Sequence, residues 1–239
     1  RLPVELELRQ AAIDELHIDD QAPLTELRAE LLHLGQDNGL LHRVRGLRAN
    51  RDGLALAADG SIGAIAPMAV ELQARVRNPD DAGLPWLAEL NAKGPLARLE
   101  LGALWHGASA AAVAAPAGAP ASAAAAAAAS ASASAARDPG TLRIDATLTP
   151  FAAWPLAALV ANAQALDLSA FNAALPQTRL SGKADVHGSG AKEPLQVALE
   201  LANALPGRLD ASRLPIAQAT LLLRGVPSDL RTAEFERLQ

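Results

Sequence analysis

The stretch MAVELQARVR, Met68–Arg77, alternates apolar and polar residues with a period of two. One side of the stretch carries Met68, Val70, Leu72, Ala74 and Val76. The opposite side carries Ala69, Glu71, Gln73, Arg75 and Arg77. Alternation over this length predicts an antiparallel strand with one face in water and the other face apolar.

Five further stretches show the same alternation, which predicts an all-β fold. They are PVELELR (Pro3–Arg9), LELGALW (Leu99–Trp105), TLRIDATL (Thr141–Leu148), LSGKADV (Leu180–Val186) and LQVALEL (Leu195–Leu201). A proline leads three strands, as in PVELEL, PMAVEL and PLQVAL, where its missing N–H costs no ladder hydrogen bond. Turn signals rich in glycine, aspartate and asparagine separate the units, at irregular spacing.

Three stretches have helical features. Ala22–Gly35 has leucines at helical spacing but also fits a strand, so both interpretations stay open. Pro150–Leu166 could form a short amphipathic helix, and Leu166–Pro176 could hold one helical turn capped by Ser169. We therefore expect an elongated, curved antiparallel sheet with one or two short helices around residues 150–175.

Composition narrows the class of protein. Half of the residues are hydrophobic but only 3% are aromatic, which predicts a thin core or a shallow apolar surface. A net charge of −5 argues against a nucleic-acid partner. With no cysteine, disulfides, thiolate nucleophiles and cysteine zinc sites are excluded.

The motif search finds no catalytic constellation, so we predict no enzyme activity, no cofactor and no metal site. The five histidines do not pair at metal-ligand spacing. DELHIDD (Asp14–Asp20) is interpreted as a solvated strand with a bulge rather than an acid/base pair. HGSGAKEP (His187–Pro194) lacks the spacing of a phosphate loop and predicts a hairpin turn.

An alanine and serine tract, SAAAAAAASASASAA, occupies Ser122–Ala136. It has no large apolar stripe, and prolines and glycines flank it, which indicates an insertion at a hairpin tip that is disordered or transiently helical. The strands on either side, Leu99–Trp105 and Leu142–Leu148, are then expected to pair. We predict a β segment at 1–106, a low-complexity insertion at 107–140 and a second β segment at 141–239 that continues the same sheet.

Strands that are apolar on one side can close in two ways, as a filled sandwich or barrel or as a curved sheet with an open apolar face. The scarcity of large aromatics favours the curved sheet, whose open apolar face a ligand or partner must cover. An acyl chain fits such a face, because each buried methylene contributes about 0.8 kcal/mol without directional polar groups. The residues expected to line the groove are Val4, Leu6, Leu8, Met68, Val70, Leu72, Val76, Leu99, Leu101, Leu142, Ile144, Leu180, Val186, Leu195, Val197 and Leu199.

The segment PFAAWPL…LDLSAFNAALPQTRLSGKADV resembles the TamB family of translocation and assembly module proteins, which is related to the AsmA-like lipid transporters. The matching motifs are PFxxWPL, LDLSxF, LPxTxLSGxA and PLxxxLxL, here at Pro150–Leu156, Leu166–Phe171, Leu175–Ala184 and Pro194–Leu201. His42–Val76 is also similar to a unit of that family. The alanine and serine tract departs from the family pattern.

The resemblance implies a periplasmic, U-shaped β-groove ("β-taco") in a longer chain anchored in the inner membrane of a Gram-negative bacterium, of which this sequence would be an internal fragment. It implies a groove that carries phospholipid toward the outer membrane and a TamA-like outer-membrane barrel protein as partner, contacted through regions outside this fragment. The alternative is a scaffold that offers strand edges to outer-membrane proteins. A third possibility, a carbohydrate- or ester-cleaving enzyme, has no supporting residue set.

Overall fold

The computed structural model describes residues 4–17, 22–78, 86–107, 140–172, 174–188, 190, 193–226 and 229–238. It is all-β and not closed into a barrel, and every pairing between neighbouring strands is antiparallel. This confirms the predicted fold class. The chain divides into two compact units, of which the first contains Arg1–Pro95 and the second contains Leu96–His106 and Asp138–Gln239.

The first unit is a six-stranded meander in which each strand pairs with the next one in sequence. Its strands are β1 (Leu6–Leu16), β2 (Leu24–Gly35), β3 (Leu41–Arg51), β4 (Leu54–Gly63), β5 (Ala69–Asn78) and β6 (Trp86–Pro95). A four-residue helical turn, α1 (Gln36–Gly39), joins β2 to β3. The stretch Ala22–Gly35, left open between helix and strand, is therefore mostly strand.

The second unit is also a meander and has seven strands. They are β7 (Leu99–Gly107), β8 (Thr141–Leu148), β9 (Leu156–Leu166), β10 (Leu180–His187), β11 (Leu195–Asn203), β12 (Gln218–Val226) and β13 (Asp229–Leu238). Each pairs with its sequence neighbour. Two short 3₁₀ turns, Leu168–Ala170 and Leu209–Ala211, lie in the connections that follow β9 and β11.

One helix prediction is wrong and one is partly right. Residues 156–166, predicted to belong to an amphipathic helix, form β9, because pairing with β8 and β10 on both sides outweighs the helix propensity of its alanines and leucines. The predicted turn near Ser169 exists, at Leu168–Ala170, but its cap is Asp167. The Asp167 carboxylate accepts hydrogen bonds from the Ser169 N–H (3.1 Å) and the Ser169 hydroxyl (2.8 Å).

Backbone bulges change the phase of alternation inside two strands. In β3, Gly46 has φ 59°, its N–H donates to Asp59 Oδ1 at 2.7 Å, and the register with β4 shifts between Val44 and Leu47. A side chain at this position would strike Glu30, since a Cβ on Gly46 would lie 2.4 Å from Glu30 Cδ. In β1, Gln10 has φ 58°, and the apolar positions change from even to odd beyond it.

The strands on either side of the alanine and serine tract form a hairpin, as predicted. Leu99 lies opposite Leu148, and the ladder continues to His106 opposite Thr141. Most of the insertion, residues 108–139, lies outside the described residues, and so does the tract itself. The predicted division into 1–106, 107–140 and 141–239, and the predicted state of the tract, stay predictions. Among the described residues there is no helix with the length and apolar character needed to cross a bilayer.

Deleting Ala110–Ala136 should leave the free energy of unfolding unchanged or raise it by about 1 kcal/mol, because a shorter connection costs less entropy to close. Urea denaturation of the deleted and intact chains measures this difference. The control is deletion of Pro206–Arg213, whose backbone hydrogen bonds are ordered and whose loss should lower stability. A loss above about 2 kcal/mol on deletion of the tract would contradict a passive insertion.

Candidate functional site

The second unit carries one continuous apolar face, which we call the second apolar face. Residues directly opposite in an antiparallel ladder place their side chains on the same side of the sheet. Three parallel rows across β7–β12 are apolar throughout. They are Leu101, Ala146, Leu159, Val186, Val197 and Leu223; Ala103, Ile144, Ala161, Ala184, Leu199 and Leu221; and Trp105, Leu142, Ala163, Gly182, Leu201 and Ala219.

The other side of the same strands is largely polar. One row consists of Leu104, Arg143, Asn162, Lys183, Glu200 and Thr220. On this side Arg143 Nε lies 2.9 Å from Asp145 Oδ2, and this hydrogen bond lowers the pKa of the Asp145 carboxyl below its usual value. The pair therefore favours folding above the unfolded carboxyl pKa, and its effect is lost as the pH falls through the lowered pKa. Because both side chains are exposed, the contribution is small.

The first unit has the same two-sided construction, and its apolar side is called the first apolar face. One row across all six strands is Leu8, Leu32, Val44, Gly60, Leu72 and Ala92. A second row is Ala49, Leu56, Val76 and Ala88. The opposite side has a polar row of Glu7, His33, Arg43, Ser61, Glu71 and Lys93.

The predicted lining residues fall on these two faces, almost without exception. Leu6, Leu8, Val70, Leu72 and Val76 lie on the first apolar face. The second apolar face holds Leu99, Leu101, Leu142, Ile144, Leu180, Val186, Leu195, Val197 and Leu199. The remaining two precede strands: Val4, 64% exposed, lies before β1, and Met68, with φ 53°, lies before β5.

Apolar-face residues of six strands were absent from the predicted set, including Ala88 and Ala92 of β6. They also include Leu32, Val44, Ile62, Leu159, Leu221 and Leu223, from β2, β3, β4, β9 and β12. In β3 the bulge at Gly46 interrupts the period, and in β4 and β9 both sides carry small apolar residues that blur the alternation. A search that allowed one phase change per strand at a glycine would have found β3 from the sequence.

The apolar faces are accessible rather than filled. Among the described residues no large side chain is less than 2% exposed. Leu6 and Leu8 are 44% and 41% exposed, and the side chains along the centre of the second apolar face are half-buried. Of the predicted lining residues, only Leu180 and Leu195 are buried. These exposed fractions favour an open apolar surface over the interior of a closed sandwich.

Aromatic side chains bound the second apolar face at opposite ends of its strands. At one end the buried Trp105 stacks on Phe171 of the β9–β10 connection, with ring centroids 4.4 Å apart and planes at 23°. At the other end Trp154 of the β8–β9 connection lies against Gly188, where an added Cβ would come within 3.4 Å of Trp154 Nε1. Both rings mark where the apolar surface ends.

Two hydrogen-bonded residues hold the connections at the Trp105 end in place. The buried Thr178 hydroxyl donates to the Leu166 carbonyl (3.0 Å) and accepts from the Leu168 N–H (3.0 Å). Asn203 is 5% exposed, and its Oδ1 accepts from the N–H groups of Arg179 and Leu205, both at 3.1 Å. These contacts fix the β9–β10 and β11–β12 connections against the strand ends.

Two open depressions lie on the polar sides and are less suited to an apolar ligand. The one in the second unit, about 610 Å³, is bordered by Asp185, whose carboxylate contacts Lys183 Nζ (3.2 Å) and His187 Nε2 (2.6 Å). The one in the first unit, about 710 Å³, is bordered by the ion pairs Arg48–Glu30 and Arg75–Glu89, both at 3.1 Å. Ion pairs occupy part of each depression, and neither has a continuous apolar lining, so the apolar faces are the stronger candidate site.

In the part of the chain that the structure describes, no group of three or more histidine, aspartate or glutamate side chains could hold a metal ion. No protein-family model, no curated protein and no solved structure matches this chain. The candidate site therefore stands on its geometry: two open, one-sided apolar faces with polar reverse sides.

Proposed function

We propose that this chain is a periplasmic groove module that shields the acyl chains of phospholipid and conducts them between the inner and outer membranes, supporting outer-membrane biogenesis. The observation that carries the proposal is the second apolar face, on which three rows of apolar side chains run unbroken across six strands and, apart from the buried Trp105, stay half-exposed. A surface of this kind in water needs a ligand or partner to cover it.

The dimensions of the second apolar face suit a hydrocarbon chain. Strands in a sheet lie about 4.8 Å apart, so the five steps from β7 to β12 extend roughly 24 Å. A dozen buried methylenes at about 0.8 kcal/mol each contribute a gross stabilisation of about 10 kcal/mol. No directional polar group is needed, which agrees with the purely apolar rows.

The resemblance to the TamB family supports the envelope setting. Its motifs fall on the elements that bound the second apolar face: PFAAWPL is the β8–β9 connection that carries Trp154, and LPQTRLSGKA leads through Thr178 into β10. The proposal extends to an inner-membrane anchor in a longer chain. It also extends to a TamA-like barrel protein as partner, contacted through regions outside this sequence.

A second candidate function is a scaffold for the assembly of outer-membrane proteins through strand edges. The observation that favours it is β1, which pairs with β2 alone among the described strands and is exposed over most of its length. Leu6, Leu8 and Ile13 of β1 are 41–47% exposed. A strand from another protein could add to this edge by main-chain hydrogen bonds.

Site-specific photocrosslinking in bacterial cells distinguishes the two functions. We expect a photoreactive residue at Leu199, on the second apolar face, to give a phospholipid adduct detectable by mass spectrometry. The matched control is Glu200, the next residue, which points to the polar side and should give none. Absence of lipid at Leu199, together with protein adducts at residues of β1, would reject the lipid groove in favour of the scaffold.

A further inference from the structure

We propose that one end of the second unit docks on the surface of an anionic bilayer through a rim of exposed apolar side chains. The rim consists of Phe171, Leu175, Leu209 and Ile216, on the β9–β10 and β11–β12 connections. This inference rests on the proposed function, because docking gives acyl chains a route between a membrane and the second apolar face.

The rim is apolar and unusually exposed. Leu209 is 67% exposed, and Phe171, Leu175 and Ile216 are 40–41% exposed. The β11–β12 connection adds exposed Pro206, Ala211, Pro215 and Ala217 to this surface, beside the polar Asp210 and Ser212. Large exposed side chains gathered on neighbouring loops mark a contact surface for protein or lipid.

Hydrogen bonds join the two connections into one ordered surface. The Gln177 N–H donates to the Ser212 carbonyl at 2.8 Å, and Gln177 forms a β-bridge with Arg213. Asn203 Nδ2 donates to the Ile216 carbonyl at 3.0 Å. The two hydrogen-bonded connections therefore hold the apolar side chains in place without a partner.

The backbone of the rim supports the choice of a bilayer as the partner. A lipid surface supplies no regular donors or acceptors to loop backbone, so such a backbone must satisfy its own groups. In the β11–β12 connection the N–H of Gly207 donates to Leu214, and the N–H groups of Ser212 and Arg213 donate to Leu209 and Arg208. This turn-rich, internally bonded backbone differs from β1, whose edge suits a strand of another protein.

The charges beside the rim suit anionic headgroups. Arg179, Arg208 and Arg213 flank the apolar side chains. Arg208 pairs with Asp210 at 2.6 Å, whereas the described residues provide no carboxylate partner for the guanidinium groups of Arg179 and Arg213. Cationic side chains next to exposed leucines are the combination that binds the headgroup region of an anionic leaflet.

The rim is continuous with the second apolar face. Phe171 is both a rim residue and the stacking partner of Trp105, which ends one of the apolar rows. A chain leaving the bilayer beside Phe171 would meet apolar side chains without crossing a polar surface. The opposite end of the strands, where Phe151 is 75% exposed, has Trp154 against Gly188 instead.

Flotation of the full 239-residue chain with vesicles tests the docking. The vesicles contain phosphatidylglycerol and phosphatidylcholine in equal amounts, with pure phosphatidylcholine as reference. We expect binding to the anionic vesicles, weakened about tenfold by Leu209→Ser, because most of one leucine's burial is lost. Arg179→Gln should weaken binding to the anionic vesicles about fivefold and leave binding to the pure phosphatidylcholine vesicles unchanged.

The matched control is Phe151→Ser, which removes a more exposed aromatic residue from the opposite end and should leave binding unchanged. The docking proposal is overturned by the absence of vesicle binding, by Leu209→Ser binding as well as the unchanged chain, or by an equal loss in Phe151→Ser. Photocrosslinking from Leu199, measured in the same variants, separates the two proposals. A lipid adduct at Leu199 without vesicle docking rejects the rim and keeps the groove, whereas docking that depends on Leu209 without an adduct keeps the rim and rejects the groove.

Discussion

Replacing Val197 by glutamate should strip phospholipid from the protein while leaving its sheet folded. Val197 is half-buried at the centre of the second apolar face, with Val186 and Leu223 directly opposite on the neighbouring strands. A carboxylate there can reach water when the face is empty but must be desolvated when an acyl chain covers it. That desolvation costs at least about 3 kcal/mol, so lipid occupancy should fall a hundredfold or more.

The measurement is native mass spectrometry of bound phospholipid, with circular dichroism and thermal unfolding on the same samples. Gln196→Glu is the matched control, because it introduces the same charge one residue away on the polar side, opposite His187 and Arg224. Equal lipid occupancy in both variants would argue against a lipid-binding face. Unfolding of Val197→Glu alone would show that the face is a filled core.

Asn203→Ala should lower the free energy of unfolding by about 3 kcal/mol. Asn203 is 5% exposed and holds three chain segments together, through the N–H groups of Arg179 and Leu205 and the carbonyl of Ile216. Alanine leaves these part-buried backbone groups without the Asn203 side chain as partner, and an unsatisfied group shielded from water costs about 1–3 kcal/mol. Urea denaturation followed by tryptophan fluorescence measures the effect.

Hydrogen exchange adds a local readout for the same variant. The amides of Arg179 and Leu205 should exchange roughly a hundredfold faster in Asn203→Ala, if about 3 kcal/mol of protection is lost. Asn162→Ala is the control, because Asn162 is an exposed asparagine on the polar side of β9 and should change stability by less than about 0.5 kcal/mol. Similar effects of the two substitutions would mean that the Asn203 side chain does not hold these chain segments together.

The strands that alternate without interruption were predictable from the sequence. β5, β7, β8, β10 and β11 all appear where the period of two places them. The apolar residues of β5 lie on the first apolar face, and those of β7, β8, β10 and β11 lie on the second. Strict alternation leaves one register in which every apolar residue reaches the same face, because a slip of one residue would turn every side chain over.

The rest of the fold depends on information that the period does not carry. β3 changes phase at Gly46, where a bulge places two residues opposite one, and a search for strict alternation misses a strand of this kind. β9 is rich in alanine and leucine, and partners on both sides decide that it is a strand. The cap at Asp167 was assigned to Ser169, since both residues are common caps and only the fold brings Thr178 N–H to the carboxylate.

The sequence allowed us to predict that apolar faces exist, but not where the second apolar face ends. Alternation located residues of both apolar faces in the regularly alternating strands but missed those of β2, β3, β4, β6, β9 and β12. The residues that end the second face lie in connections. Phe171 and Trp154 occupy segments with no period, and their positions follow from Thr178, Asn203 and Gly188, which act across many residues of sequence. The exposed rim likewise forms only when two distant connections hydrogen-bond to each other.

In each unit every strand of the sheet hydrogen-bonds only to the strands before and after it in the chain. Such a meander folds through contacts between close neighbours in sequence, so it can form progressively as the chain emerges and does not wait for distant segments. Its stability approximates a sum of nearest-neighbour terms. Evolution can therefore lengthen or shorten the molecule by whole hairpins, adjusting its reach without redesigning the strands that remain.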